Sequence, residues 1–332
     1  MTKITAAITA VGKYVPDYIL SNKILETLVD TNDEWITSRT GIKERRILKG
    51  EGKGTSYMAI KAAENLLEKS NLDPKEIDLV IVSSATPDMQ AASTAAFVAT
   101  QIGATEAFSF DMDAACSSFL FGMSVVSSYI ESRKYKKILL IGADKNSSMI
   151  DYTDRATCII FGDGAGAVLF EPNDEGNGIQ DEYLRTNGEG REFLQVQKGG
   201  SAYPFKKGEV FGSSEAFVHQ EGRTVFKNAV FNMADVSEKI LDRNNLKIED
   251  VSWLAAHQAN KRIIDATAER IGIAESKVLM NIHRYGNTTS ATLPLLLADF
   301  ESDIKKGDTI IFAAFGGGFS WGAIYLKWAY NA

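Results

Sequence analysis

Seven apolar runs punctuate the chain, and each is closed by small or polar residues. They are "DLVIVSSAT" (78–86), "AFSFDMDAA" (107–115), "KKILLIGAD" (136–144), "CIIFGDGAGAVLF" (158–170), "VSWLAAHQA" (251–259), "KVLMNIHRY" (277–285) and "GDTIIFAAFGGG" (307–318). Continuous rather than alternating hydrophobicity predicts strands buried on both faces, which need covering layers on either side. Helical spacing supplies those layers. "TSYMAIKAAENLLEKS" (55–70) sets Met58, Ala62, Leu66 and Leu67 on one face. "NKRIIDATAERIG" (260–272) does the same with Ile264, Thr267, Ala268 and Ile271, and Gly272 closes it. Strands alternating with helices predict an α/β fold.

The pattern also repeats. "AENLLEKSNLDPKEIDLVIVSSATPD" resembles "SEKILDRNNLKIEDVSWLAAHQANK", which sets Leu72 on Leu246 and Ile77 on Val251, an offset of 174 residues. Gly142 and Gly316 show the same offset. The 332 residues therefore divide into two related halves, 1–172 and 173–332, joined near the polar "EPNDEGNG" (171–178). The Gly-rich, charged stretch 185–222 is expected to be an irregular surface excursion.

Composition excludes several classes. A net charge of −7 argues against a nucleic-acid partner. Two cysteines give no disulfide framework and fit a reduced, cytoplasmic protein. The N-terminal apolar stretch is too short for a signal peptide. No apolar run approaches the roughly 20 residues that span a bilayer, so no membrane partner is expected.

In open α/β sheets, sites form beyond the carboxyl ends of strands. Cys116, His257, Asn287 and the run Gly316–Gly318 occupy such positions. Cys116 precedes the helix-like "SSFLFGMSVVSSYIESRK", whose positive N-terminus is expected to lower the thiol pKa. Cys158, in "TCIIFG", reads as a mid-strand core residue. Of the other histidines, His219 falls in the irregular stretch and His283 lies four residues before Asn287. No metal-ligand spacing is present. "FGDGAGAVLF" is G-x-G-x-G followed by more strand, not the dinucleotide fingerprint, and predicts a turn between paired strands. Glycines 316–318 permit close backbone approach, so amides there could hold an oxyanion.

Together "TNDEWITSRTGIKERR", "DMDAACSSF", "DRATCIIFGDGAGAVLF", "EGRTVFK", "HQANKRI", "YGNTTSATLP" and "AFGGGFSWGA" resemble the β-ketoacyl-acyl-carrier-protein synthase III family, from about residue 5 to 328. The resemblance implies the thiolase fold, with duplicated halves in an αβαβα layering, and a homodimer. It implies a decarboxylative condensation of an acyl-CoA primer with malonyl-acyl carrier protein, with no cofactor beyond these substrates. It maps the catalytic triad onto Cys116, His257 and Asn287, and the oxyanion amides onto Cys116 and Gly318. Elongating relatives carry a second His where this chain has Asn287, and thiolases carry a late cysteine that is missing here, so the resemblance is to the initiating class.

Trp35 and Arg39 stand four residues apart and share a helical face. The resemblance implies that they sandwich the CoA adenine, and that Arg155, Gly222, Phe226 and Asn260 line the rest of the CoA channel. It gives Arg262, with Lys261 and Lys227, to carrier-protein docking. One departure stands out. In "TPDMQAASTAAF" (86–97), Ala91 and Ala92 replace a Phe-Pro that bounds the acyl pocket in many members, with Met89 nearby. Two rivals share features: a condensing enzyme of specialised metabolism, and a Cys-His-Asn hydrolase. The papain-type signature around the nucleophile is absent from "AACSSF".

Overall fold

The computed structural model describes residues 3–209 and 214–332. The first sheet is built from β1 (Thr5–Tyr14), β2 (Leu79–Ser83), β3 (Phe108–Met112), β4 (Ile138–Asp144) and β5 (Gly164–Asn173). Its spatial order is β1-β5-β4-β2-β3. The second sheet comprises β6 (Gly178–Thr186), β7 (Trp253–Ala256), β8 (Thr309–Gly316) and β9 (Ser320–Lys327). Its order is β6-β9-β8-β7. The two orders match strand for strand, with β3 added to the first. The directions match too: β4–β2 and β8–β7 are parallel, while β1–β5 and β6–β9 are antiparallel.

The helices that complete the layers are α1 (Asp33–Thr40), α2 (Thr55–Ser70), α3 (Thr94–Gln101), α4 (Ser118–Glu131), α5 (Gly222–Arg243), α6 (Lys261–Ile271) and α7 (Thr292–Phe300). Helices α4 and α7 are apolar nearly all round because they lie between the sheets. Phe119, Leu120 and Met123 of α4 join Leu293, Leu296 and Leu297 of α7 in one core with Ile81, Leu140, Phe312 and Ile324. Helices α2 and α3 cover the outer face of the first sheet, and α5 and α6 that of the second. The result is five layers, α-β-α-β-α.

The duplication reaches the backbone. Each central helix follows a 3₁₀ turn, Ala115–Ser117 before α4 and Thr289–Ala291 before α7. Each turn starts with a non-glycine residue at positive φ, Ala115 at 50° and Thr289 at 53°. Those residues are again 174 apart. The offset is not uniform. Leu79 pairs with Ile138 and Trp253 with Ile310, so β4 and β8 correspond at 172 residues. The counterpart of Gly142 is therefore Ala314, not Gly316.

Two expected strands and the expected irregular stretch change. Residues 277–285 make a single bridge, Leu254 with Val278, and then a helical turn, Ile282–Tyr285. Cys158 ends a helical turn, Arg155–Cys158, and β5 begins only at Gly164. "FGDG" is therefore a strand entry rather than a turn between paired strands. The stretch 185–222 is not wholly irregular: Leu194–Val196 pairs with Val218–Gln220, while 210–213 lie outside the described residues. Among the described residues no helix is long and apolar enough to cross a membrane.

Gly142 packs under the 289–291 turn, and a Cβ there would run into the Ser290 carbonyl. Gly142→Ala is expected to destabilise the fold by about 1–3 kcal/mol, because the neighbour is backbone and cannot rotate away. Chemical denaturation checks this, and an unchanged midpoint would show that the turn yields freely.

Candidate active site

Cys116 sits in the 3₁₀ turn that feeds α4 and is 7% exposed. The local sequence explains the tight setting. Asp113 Oδ1 accepts the Ala115 N–H at 2.7 Å, and Ser118 Oγ donates to the Ala115 carbonyl at 2.7 Å. Gly316 at the end of β8 comes so close that a Cβ would stand 2.8 Å from the Cys116 nitrogen.

His257 follows β7 directly, is fully buried, and hangs its N–H on the Ala313 carbonyl at 2.8 Å. The neighbouring Gln258 ties down the next loop, since its Oε1 accepts the N–H groups of Asn281 and Ile282. That loop delivers Asn287. Its backbone is clamped against the other half by Asn287 N–H to Ile160 O and Gly162 N–H to Asn287 O, both 3.0 Å. Its side-chain Oδ1 accepts the Thr289 N–H at 2.9 Å. That leaves the carboxamide nitrogen as the end free for the cavity that Asn287 shares with Cys116.

A cavity of about 200 Å³ is lined by all three of these side chains, with Phe161, Leu194, Gly222, Phe226 and Asn260. A second cavity of about 410 Å³ opens on the other side of Cys116. Ala85, Met149, Val196, Val218 and Gly318 line it, and it shares Phe161 and Leu194 with the first. Cys116 therefore lines two mostly apolar chambers.

Burial governs the electrostatics. It pushes the Cys116 thiol up to about 12, helped by Asp144 and opposed by the Asn287 hydrogen bond. The expected lowering by the helix N-terminus is thus outweighed by desolvation. Burial also lowers His257 to about 3, so its imidazole is neutral. His257 Nδ1 lies 2.6 Å from Thr292 Oγ1, and Nε2 has no hydrogen-bond partner. Both side chains around the thiol are therefore uncharged.

Of the other anticipated residues, Gly222, Phe226 and Asn260 line the first cavity, whereas Trp35, Arg39, Arg155, Lys227, Lys261 and Arg262 are not part of its lining. Trp35 is partly exposed on α1, and the guanidinium over its ring, 5.1 Å from the centroid, belongs to Arg155. Arg39 stays exposed on the same helix and makes no such contact among those described. Asn260 caps α6 by accepting the Arg262 N–H at 2.9 Å. Arg262 is exposed and lies 5.3 Å over the Phe226 ring. Lys227 is exposed on α5. Lys261 is already held by both oxygens of Asp265, at 2.8 and 2.7 Å, which leaves less of its charge for a partner. His219 and His283 do not line either cavity. Among the described residues no cluster of three His, Cys, Asp or Glu side chains is placed to hold a metal ion.

Sequence reasoning missed the supports. Asp144, Asn146, Ser290 and Thr292 are buried polar residues behind the site. The available signal was a carboxylate closing an apolar strand in "ILLIGAD" and the hydroxyl-rich run after Asn287.

A family model described as 3-oxoacyl-[acyl-carrier-protein (ACP)] synthase III matches residues 110–188, and its C-terminal companion matches 241–328. The chain is 53% identical over 331 residues to β-ketoacyl-[acyl-carrier-protein] synthase III 2 of Bacteroides thetaiotaomicron, covering 100% of this chain and 98% of that relative. It is 51% identical over 327 residues to the β-ketoacyl-[acyl-carrier-protein] synthase III of Chlorobaculum tepidum, covering 97% and 99%. The crystal structure of 3-oxoacyl-[acyl-carrier-protein] synthase III from Aquifex aeolicus matches with a TM-score of 0.89 at 40% identity, over 97% of this chain and 100% of that one.

The raised thiol pKa has a direct readout. Iodoacetamide labelling at Cys116, followed by peptide mass spectrometry, should quicken about tenfold per pH unit between about pH 7 and 9. A plateau near neutral pH would mean that the helix terminus, not burial, sets the thiol. The His257 resonances should not titrate between about pH 5 and 8.

Proposed function

The chain belongs to the β-ketoacyl-acyl-carrier-protein synthase III family, has the thiolase fold and is an initiating condensing enzyme of fatty-acid synthesis; from that premise we propose how its residues divide the work. The supporting observation is the single cavity that holds a thiol, a neutral imidazole with a free Nε2, and a carboxamide with its nitrogen turned inward.

Cys116 attacks the carbonyl of an acyl-CoA, and the tetrahedral oxygen is held by the N–H groups of Cys116 and Gly318. The C–S bond to CoA breaks, the thiol proton ends on the departing CoA, and the acyl group stays on Cys116. The second cavity, with Met149, Phe161, Leu194 and Val196, receives its chain. Malonyl-acyl carrier protein then enters through the first cavity. His257 Nε2–H and the Asn287 amide donate to its thioester oxygen, where charge gathers as carbon dioxide leaves. The enolate carbon attacks the acyl-enzyme, which releases β-ketoacyl-carrier protein and the Cys116 thiolate. Uncharged donors suit this step, since they stabilise an oxyanion without binding the malonyl carboxylate that must depart. The reaction needs no further cofactor.

At the mouth, Trp35 and Arg155 take the adenine, with Arg39 alongside, and Gly222, Phe226 and Asn260 line the pantetheine path. Arg262 and Lys227 face the acidic carrier protein, with Lys261 in a lesser role. We assign the halves to 1–172 and 173–332, and the site to their junction. The edge strand β3 leaves Phe108 41% exposed, near Phe97 at 50% on α3. An open, aromatic sheet edge of this kind fits pairing with a second copy, hence a homodimer. The enzyme is placed in the cytoplasm, where CoA and carrier protein meet. The rivals, specialised condensation and hydrolysis, are not favoured, because relatives more than half identical over nearly the whole chain are β-ketoacyl-[acyl-carrier-protein] synthases III.

Two experiments test the reading. Cys116→Ala should abolish acyl transfer from acyl-CoA, whereas Asn287→Ala should slow carbon dioxide release from malonyl-carrier protein roughly 100-fold and affect acylation much less; equal losses in both half-reactions would contradict the division. Arg262→Glu should raise KM for the carrier-protein substrate more than for acyl-CoA, and an unchanged carrier-protein KM would remove Arg262 from the docking surface.

A further inference from the structure

His257 has one polar side-chain contact, and it lies behind the ring. Nδ1 and Thr292 Oγ1 are 2.6 Å apart, and both residues are buried. On the cavity side Nε2 is buried and unpartnered. A neutral imidazole carries one proton, and the nitrogen that bears it decides whether Nε2 can donate or only accept. The Thr292 hydroxyl also has one proton, and two acceptors are within reach. One is Nδ1 at 2.6 Å; the other is the Thr289 carbonyl at 3.1 Å. That carbonyl already receives the Thr292 backbone N–H. Nδ1 has no other donor. Donation to Nδ1, the shorter contact, leaves the Thr289 carbonyl with its backbone partner, so both acceptors then have a donor.

We propose that Thr292 is a positioning residue: its hydroxyl donates to His257 Nδ1 and so holds the imidazole proton on Nε2, facing the oxygen that becomes the enolate. The opposite arrangement would place a bare lone pair there, against a developing negative charge. Thr292 opens α7, directly after the turn in which the Thr289 N–H orients the Asn287 carboxamide. One turn thus presets both donors before the substrate arrives. The hydroxyl cannot swing away easily, because Thr is β-branched and begins a helix packed between two sheets. This inference rests on the role given to His257 above.

The test compares Thr292→Val, which keeps the shape and removes the donor, with Thr292→Ser, which keeps the donor. In Thr292→Val, carbon dioxide release from malonyl-carrier protein should fall roughly 10- to 100-fold, while acylation of Cys116 by acyl-CoA falls less than about threefold. Thr292→Ser should restore most of the loss. A readout free of any variant is ¹⁵N NMR of the histidine-labelled parent enzyme. With only three histidines in the chain, His257→Ala assigns the signals. Nε2 should show the protonated shift and Nδ1 the unprotonated one. A parent enzyme with the proton on Nδ1 overturns the proposal. So does carbon dioxide release that survives Thr292→Val yet is lost in His257→Ala. If His257→Ala itself leaves that release intact, the fault lies instead with the catalytic role assigned to His257.

Discussion

A single buried carboxylate holds the two halves in register at the site. Asp144 ends β4 and is fully buried. It accepts Ser84 Oγ at 3.1 Å, Ala85 N–H and Thr86 Oγ1 at 2.8 Å, and Ser290 N–H at 2.9 Å, with the Ser290 hydroxyl as a further donor. The first three belong to the segment that follows β2, and the last two to the turn after Asn287. Burial still raises its pKa to about 6, so the site keeps a costly charge because five donors hold it. Asn146 extends the tie by donating to Gly162 O and accepting the Thr289 hydroxyl, both at 2.7 Å. Asn287 and Thr292 take their places from this web.

The duplicated backbone puts different chemistry at equivalent points. Cys116 and Ser290 occupy the same place in the two 3₁₀ turns, 174 residues apart, and Ser83 corresponds to His257 at the same offset. In one pair the residues are structural: the Ser290 hydroxyl, which donates to Asp144, lies 2.7 Å from the Ser83 carbonyl. In the other pair they are the proposed nucleophile and hydrogen-bond donor. Both turns also carry a positive φ, a local strain that packing from both sheets must hold in place. In the proposed mechanism one scaffold thus presents a nucleophile from one half and the donors from the other, with structural serines at the mirrored positions.

Desolvation then sets the character of the site. The cavity that raises the thiol pKa also keeps the imidazole neutral, so the resting enzyme has no preformed ion pair at Cys116. In the mechanism proposed above the work passes to oriented dipoles: two backbone amides, one carboxamide and one imidazole N–H. Such dipoles stabilise an oxyanion most strongly where water is excluded and reorganisation is small.

By itself, the sequence determined the α/β class and the twofold repeat, and it marked Cys116, His257 and Asn287, which the structure brings to one cavity. Buried strands and amphipathic helices are written in local hydrophobic periodicity, and each reactive residue stands at an abrupt change from apolar to polar or small residues. The helix over 55–70 was legible to the residue for that reason. The apolar run at 277–285 misled, because it fills a core as a loop and helical turn, and hydrophobicity alone does not separate these from a strand. Only the tertiary structure decided that Arg155 rather than Arg39 covers Trp35, that Lys261 is neutralised by Asp265, and that Asp144 and Thr292 stand behind the site. Those outcomes depend on contacts between segments more than a hundred residues apart, or on which way a side chain turns once its neighbours are packed, and no local pattern encodes either.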